Sequence, residues 1–205
     1  MVTTTIIFSL IVLIFSVILH EVSHGAMADY LGDPTAKYAG RFSLNPLRHL
    51  DPFGSVILPI LLLIFTRGQG PILGWAKPLP VNPYNFKDQK WGNLKVALAG
   101  PGSNLTIALF FGLLIRFFSL PWQFSYLLSI IVILNLMLGF FNLMLIFPLD
   151  GSYILFTFLP ERTWRIRQIF QQYGFLILIL FLFLIFPLLE YLIFFVFRLI
   201  VGKPF

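Results

Sequence analysis

The chain has 205 residues, of which 59% are hydrophobic and only 11% charged. A water-soluble fold draws on about 25% charged residues, so a soluble domain is excluded and an integral membrane protein is indicated. The net charge of +6 sits in short loops between apolar runs, where it reads as topology signals and anchors for anionic lipid and not as a nucleic-acid surface; cysteine is absent, which excludes disulfides and thiolate metal sites.

The first apolar run, Thr5 to Leu19, leads directly into His20-Glu21-Val22-Ser23-His24. One helix from about Thr5 to Leu31 is predicted, ending before Gly32-Asp33-Pro34. A cleaved leader is disfavoured. Ala26-Met27-Ala28 resembles a cleavage site, but residues 1–4 carry no basic side chain and the cut would fall just after the polar cluster. The next apolar run, Phe53 to Phe65, is shorter than the roughly 20 residues a spanning helix needs. Flanked by Pro52 and Gly54 and interrupted by Pro59, it is expected to be a re-entrant or interfacial element. Gly74 to Pro83 holds Pro78, Pro80 and Pro83, which forbid a helix and predict an extended cytoplasmic loop. Three long apolar stretches follow: Val96 to Phe118, Phe124 to Leu149 and Gly174 to Ile200. Pro187 interrupts the last of them and Glu190 follows in apolar surroundings, so a broken or hairpin-like segment stays open there. The pattern predicts an all-α polytopic membrane protein with about four transmembrane helices. The length suits about one domain, and no repeat or low-complexity tail divides residues 1–205.

Basic residues orient these segments. Lys37, Arg41 and Arg48 precede the short run, and Arg67, Lys77, Lys87, Lys90 and Lys95 follow it. If that run does not cross, all share one side. Ser119 to Gln123 is uncharged, whereas Arg162, Arg165 and Arg167 follow the third long run. Positive-inside counting then runs the four spans out-to-in, in-to-out, out-to-in and in-to-out, with both termini outside. Arg198 and Lys203 run against this orientation for the last span.

Two histidines four residues apart on a helix lie about 40° apart around its axis and can hold one metal ion. The glutamate between them can handle the proton of an attacking water. A charged side chain at the bilayer centre costs roughly 2.5–3.5 kcal/mol on insertion scales, which metal chemistry would offset. The bland alternative is a polar cluster holding helices together by hydrogen bonds. Catalytic zinc usually takes three protein ligands, and the remaining candidates are His49, Asp51 and Asp150. Asp150 ends a helix running in the same direction as the first, so it reaches the depth of His24 near the same face. This holds only if Phe53 to Phe65 does not span. His49 and Asp51 occupy a loop, where a headgroup contact or turn role is the simpler expectation. Asn135 and Asn142 share a helix face, and Asn104 sits among Gly100, Gly102 and Ser103. Interhelical hydrogen bonding is the simple reading of all three.

These motifs together resemble the site-2 protease family of intramembrane zinc metalloproteases, in its compact prokaryotic form without a PDZ domain. The resemblance is carried by His20-Glu21-Val22-Ser23-His24-Gly25, Asn45-Pro46 with Asp51-Pro52-Phe53-Gly54, Gly74 to Pro83, Ala99-Gly100-Pro101-Gly102-Ser103-Asn104, and Asn142 through Leu149-Asp150-Gly151. It covers about residues 8–155 of a single membrane-embedded domain, and residues 156–205 carry no such signature. The resemblance implies one zinc ion held by His20, His24 and Asp150, with Glu21 as general base and Asn142 holding substrate or the oxyanion. Leu145 stands where the family usually has proline. The implied substrate is a transmembrane protein cleaved at the prokaryotic cytoplasmic membrane, with the site nearer the cytoplasmic face. The other reading of the same residues is a metal-binding membrane protein without hydrolytic activity, a transporter or a degenerate scaffold. Sequence leaves the oligomeric state open.

Overall fold

A computed structural model describes residues 2–65, 76–160 and 164–202. Its regular elements are helices: α1 (Val2–Tyr30), α2 (Thr35–Tyr38), α3 (Leu58–Phe65), α4 (Gly92–Phe117), α5 (Trp122–Asn142), α6 (Gly151–Phe158) and α7 (Trp164–Val201). Single turns of tighter or wider helix occupy Pro46–Arg48, Pro52–Ile57 and Pro83–Asn85. Among the described residues the only β-pairing is an isolated antiparallel bridge between Leu50 and Ala76. Arg67, Gly74, Trp75, Arg162 and Lys203 lie outside the described residues.

Among the described residues, three helices are long and apolar enough to cross a membrane: Thr3–Tyr30 within α1, then α4 and α5. The stretch expected as a fourth span forms the greater part of α7, a helix of 38 residues that continues through Pro187; it is neither broken nor a hairpin. The short apolar run is also helical. Asp51 caps it by accepting from the backbone N–H groups of Phe53 and Gly54 at 3.1 and 2.6 Å, which satisfies donors that a helix start leaves unpaired. Phe53, Ile57, Ile60, Ile64 and Phe65 all remain exposed.

One boundary differs from expectation. The helix expected to reach Leu149 ends at Asn142, seven residues earlier. Apolar composition continues to Leu149, but the residue before Pro148 is disfavoured in the helical region and Pro148 lacks an N–H to extend the ladder. Tight turns replace it, with Met144 N–H donating to Phe141 O at 3.2 Å, Ile146 N–H to Met144 O at 2.8 Å and Leu149 N–H to Ile146 O at 2.8 Å. Leu145, half exposed, lies in this unwound stretch, so the chain departs from the helix there without a proline at 145.

Small residues let the long helices approach closely. A Cβ on Gly139 of α5 would meet Leu105 of α4 at 2.9 Å, and one on Gly112 of α4 would collide with Ile200 of α7. The C-terminal parts of α1 and α5 meet the N-terminal half of α4, because His24 bonds to Val96 and Gly139 lies against Pro101 and Leu105. At the opposite end Arg116 of α4 donates to Leu199 O of α7 at 2.7 Å. Thus α1 and α5 point one way and α4 and α7 the other, the alternation expected from the charge pattern.

Candidate metal centre

His20 and His24 occupy adjacent turns of α1, with ring centroids 4.6 Å apart and planes at 83°. Both are buried, at 6% and 8% exposure. Their Nε2 atoms are 3.0 Å apart. Asp150 arrives from the far side of the unwound stretch, its Oδ2 lying 3.1 Å from His20 Nε2 and 3.2 Å from His24 Nε2. An aspartate at the N-cap of a helix ordinarily accepts from the helix's own free N–H groups. Asp150 holds the N-cap position of α6 and makes no such bond; its buried Oδ2 receives no hydrogen bond.

The outer ring nitrogens explain why the inner ones can act as donors to a metal. His24 Nδ1 lies 2.7 Å from the Val96 carbonyl, which can only accept, so Nδ1 carries a proton and, in the neutral ring, Nε2 presents a lone pair. His20 Nδ1 meets Asn104 Oδ1 at 2.7 Å, with the same consequence. With neutral rings, two lone pairs and a carboxylate oxygen face one another at 3.0–3.2 Å, a mutually repulsive set unless a metal ion or a proton lies among them. Ligands of a tetrahedral zinc at about 2.0–2.2 Å are separated by about 3.3 Å, so the spacing suits that ion. Gly100 of α4 forms the floor. A Cβ there would fall 2.6 Å from His20 Nε2 and closer still to His24 Nε2. Only a residue without a side chain leaves the space between the imidazoles open.

Glu21 is half-buried beside this cluster. Its Oε2 accepts from the Leu79 backbone N–H at 3.2 Å, which ties it to the extended stretch running from Ala76 to Asn82. That stretch is pinned at both ends. Near Ala76, Lys77 N–H donates to His49 O at 2.9 Å, and Arg41, only 9% exposed, donates to Lys77 O at 2.9 Å. Arg41 is therefore a buried clamp and not the free lipid anchor its charge suggested. Near Asn82, Asp33 Oδ2 accepts from the Asn82 N–H and Oδ1 from the Asn85 amide, each at 2.7 Å. Burial pushes the Asp33 carboxyl up, but hydrogen bonds from Thr35, Asn82 and Asn85 outweigh it and hold the group below the usual carboxylate range.

The expected ligands His20, His24 and Asp150 are thus brought together. His49 and Asp51 are not part of the cluster: His49 is a buried turn residue whose Nε2 donates to Ser43 O at 2.6 Å, and Asp51 is the cap described above. Asn142 ends α5 and donates to Leu138 O of its own helix at 3.0 Å. Among the described residues no hydrogen bond links it to the cluster. The contacts of Asn104, Val96 and Gly100 with the histidines were not anticipated. Gly100 and Asn104 are one helical turn apart on α4, and that spacing was the signal available.

Comparison with known proteins agrees with this geometry. The chain is 37% identical over 181 residues to YwhC of Bacillus subtilis, a candidate zinc metalloprotease, covering 82% of this chain and 76% of that protein. It is 31% identical over 174 residues to Rip2 of Mycolicibacterium smegmatis, also named a candidate zinc metalloprotease, covering 82% of this chain and 64% of its relative. The zinc metalloprotease MJ0392 of Methanocaldococcus jannaschii is 35% identical over 86 residues, 41% of this chain and 25% of that protein. No family model matches, and no solved structure matches. By descent shared with YwhC and Rip2, and with the donor set that such chemistry requires, the chain belongs to their family of zinc metalloproteases.

Proposed function

We propose that this chain is an intramembrane protease of the site-2 type, which hydrolyses peptide bonds in or near transmembrane segments of other membrane proteins. The observation that carries this reading is the convergence of two Nε2 lone pairs and an otherwise unbonded Asp150 oxygen at a glycine floor. His24 lies six residues before the end of α1 and Gly100 eight after the start of α4, so the cluster is about 9–12 Å inside the helix ends at 1.5 Å per residue. In the proposed topology that end faces the cytoplasm of a prokaryotic cell and the chain crosses its membrane several times.

One zinc ion per chain would be held by His20, His24 and Asp150; when bound, it supplies Lewis acidity and lowers the pKa of a water toward about 7. Glu21 takes the proton of the attacking water and returns it to the leaving amine. The Leu79 N–H holds Glu21 Oε2 and leaves Oε1 for this transfer. Asn142 keeps one amide N–H on Leu138 and offers the other to substrate or to the developing oxyanion. A helical substrate unwinds first, because its carbonyls are already hydrogen-bonded along the helix. A transporter or scaffold that merely binds metal is the rival reading. It has no use for Glu21, and the relatives' names do not favour it.

Comparing membrane proteomes of cells producing the wild-type chain or Glu21→Gln tests the proposal. Fragments of membrane-spanning proteins should appear with the wild type alone, at equal zinc content. Identical fragments from both chains would contradict it.

A further inference from the structure

We infer that Asn104 is a positioning residue that dictates which nitrogen of His20 carries the ring proton, leaving Nε2 bare toward the metal site, and that Ser16 and Asn135 lock its direction. The inference rests on the zinc reading above and deepens it. Asn104 and Asn135 are 0% exposed and Ser16 4%, so these groups are cut off from water and their partners are those of the chain itself. The Asn104 amide nitrogen donates to Ser16 O at 3.2 Å and to Asn135 Oδ1 at 2.9 Å. The Asn135 amide nitrogen donates to Ser16 Oγ and to Ile131 O, each at 2.9 Å. All four amide N–H groups are used.

Two of the acceptors, Ser16 O and Ile131 O, are backbone carbonyls, which cannot donate. Neither amide can be turned over without setting oxygen against oxygen, so donation runs one way, from His20 through Asn104 to Asn135. Asn104 Oδ1 must then face His20, and His20 must carry its proton on Nδ1. The chain ties α1 and α4, which line the metal site, to α5.

The lock excludes a competing state. Were Asn104 reversed, its NH2 would face His20 Nδ1, and the ring proton would move to Nε2. Only 3.1 Å separates that atom from Asp150 Oδ2, so the imidazole would donate to the aspartate. Both ligands would then be consumed by a hydrogen bond that requires no metal. Asn104 holds the metal-free site out of that state and leaves it ready to ligate, and outer hydrogen bonds of this kind typically change metal affinity by about 10–100-fold.

Two measurements on the detergent-solubilised full-length chain test this: zinc affinity by competition with a chromogenic chelator, and histidine-selective 15N spectra of the metal-free protein, which report ring tautomers. Wild type should bind zinc and show His20 protonated at Nδ1. Asn104→Ala should gain the Nε2–H form and lose about 10–100-fold in zinc affinity. Asn135→Leu, which keeps the bond to Ser16 O, should lose less and serves if Asn104→Ala does not fold. Phe197→Ala, a remote destabilised control, should bind zinc as wild type does. Wild-type zinc affinity in Asn104→Ala, an Nε2–H His20 in the wild type, or an equal loss in Phe197→Ala would overturn the inference alone. A wild-type chain that takes up no zinc would overturn the zinc reading and the inference with it.

Discussion

Two neighbouring regions of the helical bundle are built on different principles. In one, Ser16, His20, His24, Asn104 and Asn135 are buried polar groups, each tied to a named partner in one direction. In the other, Ala108, Ile115, Val132, Leu136, Leu189, Ile193, Phe197 and Val201 form an apolar cluster with no directional bond among its side chains. Hydrogen-bonded networks specify one arrangement because an unpaired buried donor or acceptor costs about 1–3 kcal/mol. Apolar packing specifies volume and tolerates conservative exchange. The polar region should therefore control chemistry with little latitude, while the apolar region, at Phe197 above all, should control stability with little influence on the site.

Four substitutions sharpen or break this contrast, beginning with the largest effect. Glu21→Gln should lower peptide hydrolysis by about 10²–10⁴-fold, the usual range for a general acid–base group, with zinc content and thermal midpoint unchanged; retained cleavage would remove Glu21 from its role. Phe197→Ala should cost about 3–5 kcal/mol of stability, as large-to-small core changes do, in denaturant unfolding, with kcat/KM preserved under folding conditions. A matching fall in kcat/KM would show that the two regions are coupled. Gly100→Ala should lower activity by about 10²-fold through misplaced imidazoles, and isothermal titration should show weakened zinc binding. Unchanged zinc binding would mean that α4 is not the floor of the site. The smallest effect concerns Asp33, whose native carboxyl ionises below its ordinary value of 3.8. Its stabilisation is complete above that unfolded value and is lost as pH falls below it through the lower native one. Thermal melts at descending pH should therefore show a decline that Asp33→Asn, which lacks the titrating group, does not share in full. Superimposable pH profiles would contradict that assignment.

What could be read from the sequence divides along similar lines. The bodies of α1, α4 and α5 were legible because hydropathy reports burial in lipid. The pairing of His20 with His24 was legible because helical spacing alone brings them together, and Asp150 followed from chain direction. The end of α5 was not, since residues 143–149 remain apolar while turn geometry around Pro148 breaks the helix. The bonds from His20 to Asn104 and from His24 to Val96 depend on how α1 and α4 are rotated about their own axes, which one sequence does not record. Arg41 shows the same limit. Its charge marked a side of the membrane, whereas its burial against Lys77 and Pro78 carbonyls depends on a loop path that prolines alone could not trace.

X-ray absorption at the zinc edge of the purified chain reads the ligand set itself. One zinc per chain is expected, bound by two imidazole nitrogens at about 2.0–2.1 Å and a carboxylate oxygen at about 2.0–2.2 Å. A chain that binds no zinc, or binds it with fewer than two imidazoles, would rule out a zinc site at His20, His24 and Asp150.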